Sequence, residues 1–149
     1  MTEVLFYHLT ESRLEDALPP LLEKSLDRGW RVVVQVGDEA RRDALDNVLW
    51  TYSEASFLPH GLDTEPHAAE QPVLLTTGEG TANGANVRFL VDGAPLPDLS
   101  GYERVVVMFD GHDQDQLELA RGQWKQLKGD GHALTYWQQT GAGRWEKKA

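Results

Sequence analysis

The run RVVVQVGDEARRDALDNVLW, residues 31–50, sets a strand, a turn and a helix in immediate succession. Val32, Val33 and Val34, with Val36 after Gln35, make Arg31 to Val36 apolar at odd and even positions alike, as in a strand covered on both faces. Gly37 and Asp38 then supply a turn and an N-cap, and Glu39 suits the positive end of a helix. Ala40, Ala44, Leu45, Val48 and Leu49 recur at helical spacing as the expected inward stripe, closed by Trp50.

The same grammar extends in both directions. Upstream, Val4 to Leu9 reads as a strand, and Thr10 to Ser12 offers hydroxyls to cap a helix whose stripe is Leu14, Ala17, Leu18, Leu21, Leu22 and Leu26. Pro19 and Pro20 within that stripe predict a late start or a kink, and Arg28-Gly29 predicts the stop. Downstream, Val73 to Thr76, Val87 to Val91 and Arg104 to Phe109 read as strands, with 53–72 as an extended connection. Asp110-Gly111-His112-Asp113 ends the last of these and caps a helix from about Asp113 to Lys128, stopped by Gly129; Ala133 to Trp137 reads as the closing strand. Alternating strands and helices predict parallel pairing through right-handed crossovers. The expected class is α/β, one domain over residues 1–140 with a mostly parallel central sheet covered by helices on both faces, and a polar tail at 141–149.

Composition narrows the function. At 149 residues, 40% hydrophobic and 26% charged, the chain matches an ordinary single globular domain. It has no cysteine, which excludes disulfides, thiolate metal sites and a cysteine nucleophile. Val4-Leu5-Phe6-Tyr7 opens the chain without a basic leader, and no run approaches the ~20 apolar residues of a membrane span, so a soluble cytoplasmic protein is expected. The net charge of −10 opposes broad phosphate contact. Yet residues 1–120 hold 22 acids and 8 bases, whereas 121–149 hold 2 and 6. That local excess of +4 is a weak basis for direct nucleic-acid binding, and DNA is expected to be met only indirectly.

No catalytic constellation stands out. Val105 to Asp110 imitates the magnesium-binding strand of P-loop hydrolases, but no Gly-Lys pair exists to complete a phosphate loop. Gly78 to Gly84 lacks that lysine and precedes a strand, so it reads as a turn; together with Asp110 it makes the rival reading, a nucleotide- or metal-dependent phosphotransfer domain. Leu9-Thr10-Glu11-Ser12 after the first strand is not Gly-x-Gly-x-x-Gly. Asp110, His112, Asp113 and Asp115 could gather a hard cation, but acids there also cap a helix. His60 and His67, around Asp63 and Glu65, are a weaker metal candidate. Neither a metal nor a cofactor is expected.

The last helix is more informative. Leu117, Ala120, Trp124 and Leu127 form one stripe, flanked by Arg121, Lys125 and Lys128. The bases could simply complement the helix C-terminus, or with Leu117 and Trp124 they could receive an acidic, aromatic-ended peptide, Arg121 taking its carboxylate. Leu49-Trp50 and Ser56-Phe57-Leu58-Pro59-His60 are either core or an exposed anchor for a partner.

At these residues the chain resembles the chi subunits of bacterial DNA polymerase III. The resemblance rests on Phe6-Tyr7, Leu45 through Leu49-Trp50, Ser56-Phe57-Leu58-Pro59-His60, Leu119-Ala120-Arg121, Trp124-Lys125 and Gly131, in the same order over nearly the whole length. It implies a Rossmann-like three-layer sandwich without nucleotide chemistry, and a non-catalytic subunit of the DNA-directed polymerase holoenzyme. It implies a pocket for the acidic, phenylalanine-ended tail of single-stranded DNA-binding protein at Leu117, Arg121, Trp124, Lys125 and Lys128. It also implies contact with the psi subunit or clamp loader through Trp50, Phe57, Pro59 and His60, with a helicase as a competing occupant of the Phe57 surface. The acidic 61–72 connection and the tail after Trp137 depart from the family pattern.

Overall fold

Every residue of β2, Val32–Val36, is buried, as expected of a strand with neighbours and cover on both sides. It pairs in parallel with β4, Val73–Thr76, and β5, Val87–Val91, which are also buried throughout. The computed structural model describes residues 2–51, 60–78, 83–99, 101–140 and 144–148. The remaining strands are β1 (Glu3–Leu9), β3 (His60–Leu62), β6 (Arg104–Asp110), β7 (Ala133–Gln139) and β8 (Trp145–Lys147); the helices are α1 (Leu14–Asp27), α2 (Glu39–Thr51) and α3 (Gln114–Gly129).

One eight-stranded sheet results, in the order β3-β4-β2-β5-β6-β1-β7-β8. All pairings are parallel except β7 with β8. The sheet separates two apolar clusters. On one side Leu14, Leu18 and Leu22 of α1 and Leu45 and Leu49 of α2 pack on Val32, Val34 and Val36. On the other, Ala120 and Leu127 of α3 pack with Val4, Phe6, Val105 and Val107. Each fully buried leucine contributes about 1.5–3 kcal/mol. Among the described residues, no helix is long and apolar enough to cross a membrane.

Four expectations need correction. The α1 helix begins at Leu14 and runs through Pro19 and Pro20, because Leu18, Pro19 and Leu22 are all buried and that packing outweighs the lost backbone bonds. The Thr10–Ser12 hydroxyls do not cap it; Arg13 is the N-cap, without a side-chain bond. In α2, Asp38 caps as expected, accepting from the Arg41 amide at 2.8 Å. The helix is rotated, however, so that Ala40 and Ala44 are exposed and Arg42 is buried, its guanidinium held by Asp43 and Asp63. Finally, the 53–72 connection contains β3 and a short 3₁₀ turn at Ala68–Glu70, and the tail contributes β8, whose Trp145 packs against the α1-side cluster.

Candidate functional site

Helix α3 starts cleanly because Asp113 accepts hydrogen bonds from the amides of Asp115 and Gln116. Its inner face buries Ala120, Gln123 and Leu127, and Gln123 is satisfied by donating to the Ala94 carbonyl at 3.2 Å. Leu117 and Trp124 are half-buried at the margin of that face. The Trp124 indole meets Phe6 edge-on at 5.3 Å and Tyr136 at 5.8 Å, so its orientation is fixed by aromatic packing.

Between α3 and the sheet lies a groove of about 440 Å³. Its helix wall is Leu117, Ala120, Arg121, Trp124 and Lys125; its sheet wall is His8, Phe109 and Tyr136. The lining is mostly apolar. His8 stacks on Phe109 at 4.8 Å and lies 2.7 Å from the Tyr136 hydroxyl. Burial lowers the pKa of His8, and the charges of His112 and Arg121 act in the same direction, against Asp110. Burial raises that of Tyr136, with Arg121 opposing.

Arg121 and Lys125 are exposed at the rim, and among the described residues neither is in an ion pair. Of the three bases only Lys128 stands in the last turn of α3. Dipole complementation, which fades beyond the last turn, therefore accounts for Lys128 and not for Arg121. Lys128 is exposed and lies outside the groove lining. Sequence reasoning missed His8, Phe109 and Tyr136. The available signal was strand alternation: Phe6 and His8, and Leu134 and Tyr136, share the α3 side of their strands.

The second expected surface is only partly described, since Phe57 and Pro59 fall outside the described residues. Trp50 is 53% exposed. His60 is not a surface group: its side chain is fully buried, with Nε2 3.1 Å from Asp46 Oδ1 and its ring 4.3 Å from that of Trp50. It buttresses the indole from below.

The other candidates take structural roles. Asp110 accepts from the His112 amide at 2.8 Å, and Asp113 is a cap. The possible His60–His67 metal set is divided among separate partners: Asp63 accepts from Thr76 at 2.6 Å, Glu65 from the Leu62 amide at 2.7 Å, and His67 faces Glu70. In the Gly78–Gly84 loop, residues 79–82 lie outside the described residues, and the Gly78 carbonyl accepts from the buried Arg88 at 2.6 Å. At the turn after β1, where a phosphate-binding loop would stand, Gln139 Oε1 accepts from the amides of Thr10, Glu11 and Ser12 at 3.1, 3.0 and 3.0 Å.

Known proteins match this chain along most of its length. It is 26% identical over 109 residues to a Rickettsia prowazekii protein described as "Probable DNA polymerase III subunit chi", covering 73% of this chain and 66% of that one. It is 39% identical over 87 residues to "DNA polymerase III subunit chi" of Pseudomonas aeruginosa, covering 56% and 59%. The chain thus spans less than two thirds of the length of either relative. The family model "DNA polymerase III chi subunit, HolC" matches residues 1–135. A match running from the first residue through α3 and into β7 settles the assignment: the chain belongs to the DNA polymerase III chi subunit family.

Proposed function

We propose that this chain is a non-catalytic subunit of a DNA polymerase III assembly, with a Rossmann-like sandwich fold, that receives the acidic carboxyl-terminal tail of single-stranded DNA-binding protein. The observation that carries the reading is the pairing of an apolar, aromatic-walled groove with rim cations that have no ion-pair partner among the described residues. A terminal phenylalanine would lie against Trp124, Leu117 and Phe109. Its carboxylate would meet the planar fork of Arg121, which matches two oxygens at once. Lys125 and, further along the helix, Lys128 would attract the acids preceding it. Trp50, whose ring packs on His60, would together with Phe57 and Pro59 contact psi or the clamp loader, so that the subunit localises the polymerase to coated DNA.

Calorimetry with a peptide copying that carboxyl terminus tests the reading. Micromolar binding, about −8 kcal/mol, is expected, weakening with salt because the ion pairs are exposed. Absence of heat at low salt overturns it.

A further inference from the structure

The sheet face opposite the groove carries a second gathering of aromatics and cations. On that side α1 packs over β2 and β6, and α2 over β2, β3 and β4, so the described helices are centred away from β1, β7 and β8. Tyr7 of β1 projects there. Its ring is near-parallel to Trp137 at 6.4 Å and meets Trp145 of β8 edge-on at 4.7 Å.

Toward the start of β1 this surface runs into a cavity of about 340 Å³ lined by Tyr7, Ser25, Lys24, Arg28 and Arg104, with Asp27 as the acid in its lining. The Trp30 ring lies 5.0 Å from the Arg28 guanidinium and 5.2 Å from that of Arg104. Arg104 also faces Glu3 at 3.5 Å, while its buried Nε has no hydrogen-bond partner among the described residues.

Charge is segregated along the sheet. Asp43, Asp46, Asp63, Glu65 and Glu70 belong to the β3 edge; Arg144, Lys147 and Lys148, with Glu146, belong to the β8 edge. The net charge of −10 therefore describes the other end of the molecule better than this one.

We propose that this face binds single-stranded nucleic acid, with bases stacked on Tyr7, Trp137 and Trp145 and phosphates met by Lys24, Arg28 and Arg104. Rings placed in series beside cations suit a strand whose bases are free to stack, and such stacking tolerates any sequence. A duplex keeps its bases stacked internally and could use only the few cations. An acidic, aromatic-ended peptide calls for an apolar groove, which is what the α3 side provides, whereas the cavity on this face is lined mainly by charged and polar side chains beside half-buried rings. At about 3.3 Å per residue β1 runs roughly 20 Å, room for a few nucleotides. Tyr7 and His8 are neighbours on opposite faces of β1, so nucleic acid and tail peptide would bind without overlap.

Fluorescence anisotropy of a labelled oligothymidylate with the full chain tests this. Binding is expected at low salt and to fall steeply as salt rises. Arg28→Glu and Trp145→Ala should each weaken it about tenfold or more, with the heat of tail-peptide binding unchanged. Lys24→Glu, at an exposed helix position, provides a third variant whose folding does not depend on β8; circular dichroism confirms the fold of each. The proposal is overturned by absence of binding at low salt, by binding indifferent to all three substitutions, or by competition from the tail peptide, which would place the oligonucleotide in the α3 groove. Capture of an acidic peptide on this face in place of the oligonucleotide overturns it equally. A failed peptide titration would leave it standing.

Discussion

The hydroxyl of Tyr136 lies 2.7 Å from Nδ1 of His8, and the two rings meet nearly at right angles, 6.0 Å apart, where the groove is walled by the sheet. Burial, followed by the charges of His112 and Arg121, lowers the pKa of His8. The unfolded chain then takes up a proton more readily than the folded one. The stability this group contributes is whole above the unfolded value of about 6.5 and is lost as pH falls toward the lower folded value. NMR titration should place the His8 midpoint below that of a free imidazole, and acidification should lower Tm more in the parent protein than in His8→Leu. A midpoint at or above the free value contradicts this.

Arg121 and Trp124 are one turn apart but should separate binding from stability. Arg121 is exposed, so Arg121→Ala should change unfolding free energy by less than about 0.5 kcal/mol while weakening the tail peptide at least about tenfold. Trp124 wedges against Phe6 and Tyr136, so Trp124→Ala should cost about 2–4 kcal/mol as well as affinity. Urea denaturation beside calorimetry reads both.

Gly111 is required by its neighbour. A Cβ there would overlap the His8 imidazole, which cannot retreat from Phe109 and Tyr136. Gly111→Ala should cost about 1–3 kcal/mol and shift the His8 resonances, whereas Gly122→Ala, whose Cβ would meet nothing within 4 Å, should be neutral or slightly stabilising.

Arg88 is fully buried in β5. It donates to Gln35 Oε1 through Nε at 3.0 Å and Nη2 at 2.7 Å, to Tyr102 Oη at 2.9 Å, and to the Gly78 carbonyl. Arg88→Met would strand several buried acceptors at once. We expect a loss of about 3 kcal/mol or more, seen as a lower urea midpoint with little change in slope.

Strands β1, β2, β4, β5 and β6 were legible because their residues are largely apolar at both parities, which leaves little choice but burial between two layers. The groove's helix wall was legible too, since Leu117, Ala120 and Trp124 repeat at the helical period beside the bases. Its sheet wall was not. His8, Phe109 and Tyr136 are far apart in sequence and meet only once β6, β1 and β7 lie side by side. The burial of Arg42 was hidden for a similar reason: Asp63, one of its partners, arrives from a later segment. Trp145 sits in a stretch too polar to suggest a strand, and pairs because β7 offers an open edge.

Gln139 gives the turn after β1 a ligand of its own. Its carboxamide oxygen fills the set of amides that would otherwise invite an anion, and its amide nitrogen donates to the Ser12 hydroxyl at 3.0 Å. Because this occupant is tied to the chain through β7, it acts at an effective concentration on the order of millimolar or higher, and a free phosphate would have to displace it while supplying a better acceptor. The turn is thereby self-liganded: the amides of Thr10, Glu11 and Ser12 are already satisfied from within the chain, so the shape of this loop is set by a side chain arriving from the far end of the sequence.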